Sequence, residues 1–552
     1  MEAESPDPQA PRYSIGERNA SRKRRQHAGL KLADMNRREF AKRSVGFAMS
    51  VGLPAGPIPS ETPTYSTRDA GWQAAYNKAL AILQSNVRTL PRFSSPVLIE
   101  GAEYAGIWQE CGPHEALVFR KFRPDVARNS HMVFFALQRD DGQLPANNKL
   151  PETGFGQIQM VVPIAATAWE LARANGDSEL LETAYRACST WDSWLTRYRN
   201  TRGTGLIEGF CTYDTGMDNS PRWAGFANQC PGKDAKNCPP DHRLPRLCPD
   251  LSATVYGARV ALSKMAEALE KKADAERWQE SADRIRQLIL SKLYSREDDA
   301  FFDLDAQDRF VKVRTCVLAR VCGEHVVDQP LFNHLWNGQL HKPKAFWAAF
   351  PFPSVALDDP AFVRPIPRNS WGGASQALTA LRAGRWFDHY GRSAEFGVLM
   401  DRWCRAIQKD MTFRQQIDPE SGAFTSGDEP NYSPAALVMI DFTWRLAGIH
   451  EDQETIQWNV RPGHPASHDA HFRLVADNGM IADLKYEQSG ASLSFNRTLL
   501  CRIEGGSGRL VTDKSGKLLH LVGTSGSPEH ISLRTHGGMQ RKVLSPNEIL
   551  PL

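Results

Sequence analysis

At 552 residues, with 41% hydrophobic and 24% charged residues, the chain has an ordinary globular composition and more length than one small core needs, so more than one domain is expected. The formal charge of +4, from 67 basic against 63 acidic residues, leaves no basic excess that would mark a nucleic-acid-binding surface. Fourteen Trp and twelve Tyr suit stacking on sugar rings, but a large core also uses them.

In chain order, residues 1–34 are polar and basic without apolar periodicity; they are expected to be a disordered extension or an over-translated leader, with Met35 as the start. Asn36-Arg37-Arg38-Glu39-Phe40-Ala41-Lys42 precedes a mildly apolar run over 44–53, and Pro54-Ala55-Gly56 offers a cleavage site. That pattern predicts a twin-arginine signal and linker over 35–60, with the twin-arginine machinery as partner and a periplasmic or secreted destination. The run is too short to span a bilayer, so no membrane anchor is expected. A basic tail with no export role would have the same composition.

Apolar residues at three- and four-residue spacing predict helices over 68–84, 125–137, 157–175, 178–199, 251–270, 273–294, 375–381, 387–408 and 433–446. Within this stretch Cys230, Cys238 and Cys248 lie in a Pro-, Asn- and Lys-rich insertion with little apolar content, where a disulfide would act as a staple. Cys230 with Cys238 is the expected pair, with Cys211 and Cys248 as further possibilities. Zinc is the weaker reading, because no Cys-x-x-Cys pair is present and His242 is the one imidazole nearby. Cys188, Cys316 and Cys404 read as small buried hydrophobes. After residue 449 the texture changes to alternating apolar and polar residues over 455–460, 470–475, 481–486, 492–495 and 530–535, which predicts a small C-terminal β-sandwich over 450–552.

The densest polar cluster is Tyr213-Asp214-Thr215-Gly216-Met217-Asp218-Asn219-Ser220-Pro221-Arg222-Trp223. It joins two carboxylates, an amide and an arginine to two flat aromatic faces, around a glycine that permits a sharp turn and a proline that stiffens the exit. Ordinary turn and helix-start chemistry accounts for part of the pattern. The segment Thr215 to Trp223 resembles the general-acid motif of the mannosylglycerate hydrolases and of glycoside hydrolase family 63, relatives of the trehalases. Asp250-Leu251-Ser252 and Phe350-Pro351-Phe352-Pro353-Ser354 resemble further segments of that family in the same order, over residues 101–449. The resemblance implies an (α/α)6 toroid over 61–449 and makes Asp218 the catalytic acid. Asn219 and Arg222 become partners of the sugar or of the acid, Arg222 being equally suited to a structural ion pair. Tyr213 offers a stacking face, and Asp214 a bond to the loop or to a sugar hydroxyl.

An inverting glycosidase also needs a carboxylate base, separated from the acid by roughly 6.5–9.5 Å so that a water fits between them. The family's base is a Glu, and Gln415 stands in its place within Phe413-Arg414-Gln415-Gln416-Ile417-Asp418-Pro419. An amide cannot take the proton. Glu429, in Gly427-Asp428-Glu429-Pro430-Asn431-Tyr432, is the expected replacement, a solvated loop carboxylate being the plainer alternative. Glu110, beside Trp108 in a turn-rich segment, is the second candidate and otherwise a sugar ligand. Trp371 resembles the Trp of the family's Trp-Arg-Gly segment, although the Arg is Gly372 here. Gln415 and Tyr432 complete the expected substrate-binding set. The whole reads as an exported, inverting hydrolase of an α-linked glycoside or short oligosaccharide, with no metal or cofactor. A non-catalytic carbohydrate-binding relative, a polysaccharide lyase on a similar toroid and a phosphorolytic enzyme are the alternatives.

Overall fold

The computed structural model describes residues 62–488 and 490–552, so the expected leader over 1–34 and signal over 35–60 lie outside the described residues. Among the described residues the longer helices are α1 (Ala70–Ser85), α2 (Gly112–Phe119), α3 (Pro124–Ala136), α4 (Ile164–Asn175), α5 (Ser178–Tyr198) and α6 (Pro249–Ala268). They continue as α7 (Lys272–Leu288), α8 (Val317–Gly323), α9 (Gln329–Leu335), α10 (Ala377–Arg382), α11 (Ser393–Asp410) and α12 (Ser433–Ala447).

Local chemistry sets the boundaries. Gly176 ends α4 at a φ of 61°, and the carboxylate of Asp177 then accepts from the Leu180 amide at 2.9 Å to start α5. Asp69 caps α1 in the same way through the Trp72 amide at 2.8 Å. The expected helix over 157–175 begins only at Ile164, because its first turn falls on an extended stretch that ends at Pro163. The helix expected from 387 begins at Ser393, after Gly391 at a φ of 68°.

Burial separates two kinds of helix. In α12 nearly every position is buried, whereas α7 buries only Ala282 and Ile285. The even-numbered helices touch one another in order: α2 with α4, α4 with α6, α6 with α8, α10 with α12, and α12 with α2. The turn at Gly384–Phe387 reaches α8 from the α10 side, and α1, α3, α5, α7 and α11 each pack on an even-numbered neighbour. The coarse expectation of a mainly helical chain with a C-terminal sheet region is borne out.

Besides short strands within the helical region, the strands of the two larger sheets are β1 (Thr64–Ser66), β2 (Ile449–Glu451), β3 (Thr455–Val460), β4 (His471–Val475), β5 (Ile481–Glu487), β6 (Gly490–Phe495), β7 (Thr498–Gly505) and β8 (Gly508–Asp513). They end with β9 (Leu518–Val522), β10 (Glu529–Thr535), β11 (Gly538–Leu544) and β12 (Ile549–Pro551). One antiparallel sheet runs β1-β4-β5-β6-β7-β10-β11 and another β2-β3-β8-β9-β12. Trp458 of β3 meets Phe495 of β6 with ring centres 5.1 Å apart, which joins the two sheets. Phe472 of β4 meets Trp444 of α12 at 5.2 Å, which joins the sheets to the helices. The first strand comes from the far end of the chain: Tyr65 packs on Phe472 and donates to the Ala466 carbonyl at 2.9 Å. No helix among the described residues is long and apolar enough to cross a membrane.

Candidate active site

Two buried ionic knots fix the loop that carries Asp218. At one end the Asp214 carboxylate accepts from the amides of Ile158 (2.9 Å), Phe210 (2.7 Å) and Cys211 (3.2 Å) and from the Arg199 guanidinium at 2.5 and 3.1 Å. Both side chains are fully buried. At the other end Arg222 donates to Asp250 at 2.8 and 2.6 Å and to Asp303 at 2.7 Å twice, in equally deep burial. Asp214 and Arg222 therefore hold the loop, and neither is free to hold a sugar. Arg320 adds a brace at 2.5 Å to the Thr215 carbonyl.

Between the knots the chain turns at Gly216, whose φ is 59°. A Cβ there would fall 1.5 Å from Glu110 Oε2, so both the backbone and the neighbouring carboxylate require glycine. The turn presents Asp218. Its carbonyl accepts from the Trp371 amide at 3.0 Å, and its Oδ2 accepts from Asn369 Nδ2 at 3.2 Å. Burial raises its pKa to about 6, against a partial lowering by the Asn369 hydrogen bond.

Asn369 is the hub that sequence reasoning passed over. It sits at a φ of 43°, in the left-handed region that Asn tolerates better than most side chains. Besides Asp218 it contacts three groups: its Oδ1 accepts from Gln415 Nε2 at 3.1 Å, its carbonyl from Asn219 Nδ2 at 2.8 Å, and its amide donates to Asp428 Oδ1 at 2.9 Å. Gln415 in turn accepts from the Tyr104 hydroxyl at 2.9 Å. Asp428 is buried, its Oδ2 has no partner, and desolvation followed by the charge of Glu103 raises its pKa to about 6 despite the Asn369 amide.

Glu429 is not gathered into this network. Its side chain is exposed, with no hydrogen bond or ion pair among the described residues, while the adjacent Asp428 turns inward. Periodicity gives no sign of which of two neighbouring loop carboxylates faces a pocket. Glu110 is buried with Oε2 unpartnered, and its pKa rises to about 7, first through desolvation and further through the Asp218 charge, against the lowering pull of Arg382 and Arg320. Glu100, buried with the Tyr432 hydroxyl bonded to it, and Glu115, whose pKa rises to about 7 through desolvation, extend this acidic floor.

Aromatic rings frame the same space. Trp371 is buried beneath Arg320, whose guanidinium lies 5.1 Å from the ring centre. Trp108 meets Tyr104 edge-on at 5.7 Å, and Tyr104 leans on buried Tyr432 at 5.9 Å. Tyr213, half-buried, accepts from Asn228 Nδ2 at 3.1 Å, and its pKa is raised by burial and then by the Asp218 charge. The structure thus gathers Trp108, Glu110, Tyr213, Asp218, Asn219, Trp371, Gln415 and Tyr432, and adds Glu100, Tyr104, Asn369 and Asp428. A separate cavity of about 800 Å³ lies among α2, α4, α12 and β2, lined by His114, Glu170, Arg385, Arg445 and His450, and includes none of the Asp218 cluster.

Cys230 meets Cys211 instead of pairing first with Cys238. The two sulfurs lie 3.8 Å apart in a small cluster with Phe210, and Cys238 packs against it. Cys211, Asp214 and Cys230 bring three donor atoms together, but Asp214 is saturated by Arg199 and three amides, so the set does not favour the zinc reading.

Residues 104–444 match the family model described as the mannosylglycerate hydrolase MGH1-like glycoside hydrolase domain. A glucosylglycerate hydrolase of Mycolicibacterium hassiacum is 32% identical over 77 residues, a match spanning 14% of this chain and 17% of that relative, so the chain spans about a sixth of its length. The GH63 mannosylglycerate hydrolase from Thermus thermophilus, solved with glucose, superposes with a TM-score of 0.54 at 20% identity over 66% of this chain and 99% of its own. Neutral trehalase Nth1 from Saccharomyces cerevisiae gives 0.50 at 13% identity over 67% of this chain and 80% of its own. These two likenesses concern the fold alone.

Proposed function

We propose, on the premise that the chain belongs to the MGH1-like glycoside hydrolase family, that it releases a sugar from an α-linked glycoside of a small polar aglycone by single displacement with inversion. The chain is a glycoside hydrolase, which leaves the lyase, phosphorolytic and purely binding alternatives without support. The small polar aglycone is suggested by the relatives, named for hydrolysing mannosylglycerate and glucosylglycerate, and the α linkage by the family resemblance of the Asp218 segment. The circuit of even-numbered helices, bridged between α8 and α10 by the Gly384–Phe387 turn, supports reading the helical part as the (α/α)6 toroid, and the Trp458–Phe495 contact supports a β-sandwich.

Asp218 carries the proposal. A general acid must carry its proton at the working pH, and burial lifts this carboxyl from the ordinary 3.8 to a pKa of about 6 while Asn369 and the Trp371 amide fix its position. In the reaction the Asp218 proton passes to the glycosidic oxygen as the C–O bond breaks. A water attacks the anomeric carbon from the opposite face and gives its proton to a second carboxylate. Gln415 can orient that water but cannot accept its proton. Asp428 is the proposed base: it shares Asn369 with both Asp218 and Gln415, and its Oδ2 is free. Glu110 packs on Gly216 of the acid's own loop, which suits a sugar hydroxyl or the acid's electrostatics better than the opposite face.

A panel of α- and β-linked glycosides, including glucosylglycerate and mannosylglycerate, tests this with NMR detection of the first anomer formed. Asp218→Asn and Asp428→Asn should each lower kcat by about a thousandfold or more, with the β-anomer as first product of an α-glycoside. Full activity of Asp428→Asn alongside inactive Glu110→Gln would move the base to Glu110. Export by the twin-arginine route also belongs to the proposal; fractionating cells that express the Arg37→Lys/Arg38→Lys variant tests it, with retention inside the cell expected.

A further inference from the structure

We propose that Cys211 and Cys230 form a regulatory disulfide that locks the loop carrying Asp218. The two sulfurs lie 3.8 Å apart, both side chains are buried, and the chain between them contains the acid. Both backbones are anchored to what they would lock. The Cys211 amide donates to Asp214 Oδ2 at 3.2 Å, and the Cys230 amide to the Gly156 carbonyl at 2.9 Å. Arg199 links the two: Nη1 and Nη2 both donate to Asp214, and Nη2 also reaches Cys230 Sγ at 3.6 Å. A disulfide requires about 2.05 Å between sulfurs, so under 2 Å separates the pair from bonding distance.

The chemistry is thiol–disulfide exchange with a low-molecular-weight disulfide. One protein thiolate attacks the disulfide, forming a mixed disulfide and expelling one small thiolate. The second protein thiolate attacks the protein sulfur of that mixed disulfide and expels the other. The two protons lost by the cysteines are taken up by the two small thiolates, so two small thiols leave, the external disulfide is reduced and the cysteine pair oxidised. Cys238, half-buried against the buried pair, takes the first mixed disulfide; Cys230 then expels the second small thiolate from it, and Cys211 attacks the Cys230 sulfur and returns Cys238 as a thiol, leaving Cys211–Cys230. The inference is independent of the substrate and of the identity of the base.

The test equilibrates the full chain with oxidised glutathione or with dithiothreitol, blocks free thiols with N-ethylmaleimide, and maps disulfides by peptide mass spectrometry without reduction. A Cys211–Cys230 cross-linked peptide is expected only in the oxidised sample, with Tm higher than in the reduced sample by about 3 °C. Cys211→Ser should abolish both the peptide and the redox-dependent Tm difference, and Cys238→Ser should slow oxidation while leaving the final pair unchanged. If Cys211→Ser fails to fold, Cys230→Ala provides the same reading. Thiols that remain free in excess oxidised glutathione, or a dominant Cys230–Cys238 peptide, would overturn the proposal.

Discussion

Replacing Asp214 by Asn isolates what the buried ion pair contributes to the acid loop. The substitution preserves size but removes the charge opposite Arg199, both side chains having no solvent exposure. Breaking a buried pair by removing one partner costs about 3–5 kcal/mol, because the remaining charge has no solvent to turn to. Arg199 keeps hydrogen bonds to the Ala235 carbonyl at 3.0 Å and the Glu208 carbonyl at 3.2 Å, which points to the lower half of that range. Meanwhile the amides of Ile158, Phe210 and Cys211 lose a charged acceptor, and the new NH2 group faces donors. A loss of about 3 kcal/mol over roughly 490 residues, at about 2.1 cal/mol/K per residue, lowers Tm by about 3 °C. Urea unfolding gives the free energy, calorimetry the shift, and steady-state kinetics a fall in kcat from the loosened acid. The Arg199→Met/Asp214→Asn pair should recover part of the stability, since the unpaired buried charge is gone while the Asn oxygen remains an acceptor for the amides. A single variant within about 1 kcal/mol of wild type, or a double variant no better than the single, would refute the reasoning.

Asp218, with a folded pKa near 6 against an ordinary 3.8, binds a proton over a range in which the unfolded chain has released it. Its contribution to stability is therefore full below about pH 4 and is lost as pH rises through about 6. Asp218→Asn should gain up to about 3 kcal/mol at pH 7 and nothing at pH 4 in urea titrations, while wild-type kcat declines above pH 6 as the acid deprotonates. Gly216→Ala should cost about 1–3 kcal/mol and lower kcat/KM by about a hundredfold, because the added Cβ meets Glu110 Oε2 at a φ of 59°; an unchanged rate would show that Glu110 yields freely. Gln415→Glu on the Asp428→Asn background should restore kcat at least about tenfold, the new carboxylate keeping the Tyr104 hydrogen bond at 2.9 Å; a folded double variant without recovery would place the base elsewhere.

The long amphipathic helices were legible because three or more turns of apolar spacing outlast local noise. The eight residues of α2 and the seven each of α8 and α9 are too short for that signal. Asp218, the proposed acid, stands in a run of adjacent residues that resembles a family motif, whereas its partners are scattered along the chain. Asn369, Gln415 and Asp428 form one hydrogen-bonded unit only after folding, the Asp428 bond joining residues 59 apart. Arg222 was open between a sugar contact and an ion pair; its two carboxylates lie 28 and 81 residues downstream, beyond any local pattern. For the cysteines, composition marked the insertion but could not show that the Cys230 sulfur lies 3.8 Å from that of Cys211.

The position of β1 has a temporal consequence during synthesis. Tyr65 reaches its hydrogen-bond acceptor across 401 residues of sequence, and β1 pairs with β4 at the far end of the chain. At roughly 5–20 residues per second, the ribosome takes about 20–80 s to make the partner of a strand it has already released. Through that interval the nascent helices assemble beside an open-ended tether. Joining β1 to its sheet is then one of the last events of folding, and it closes the helical region between them like a drawstring. A nascent chain arrested before β4 should accordingly be cut by protease near residue 65, and the finished protein protected there.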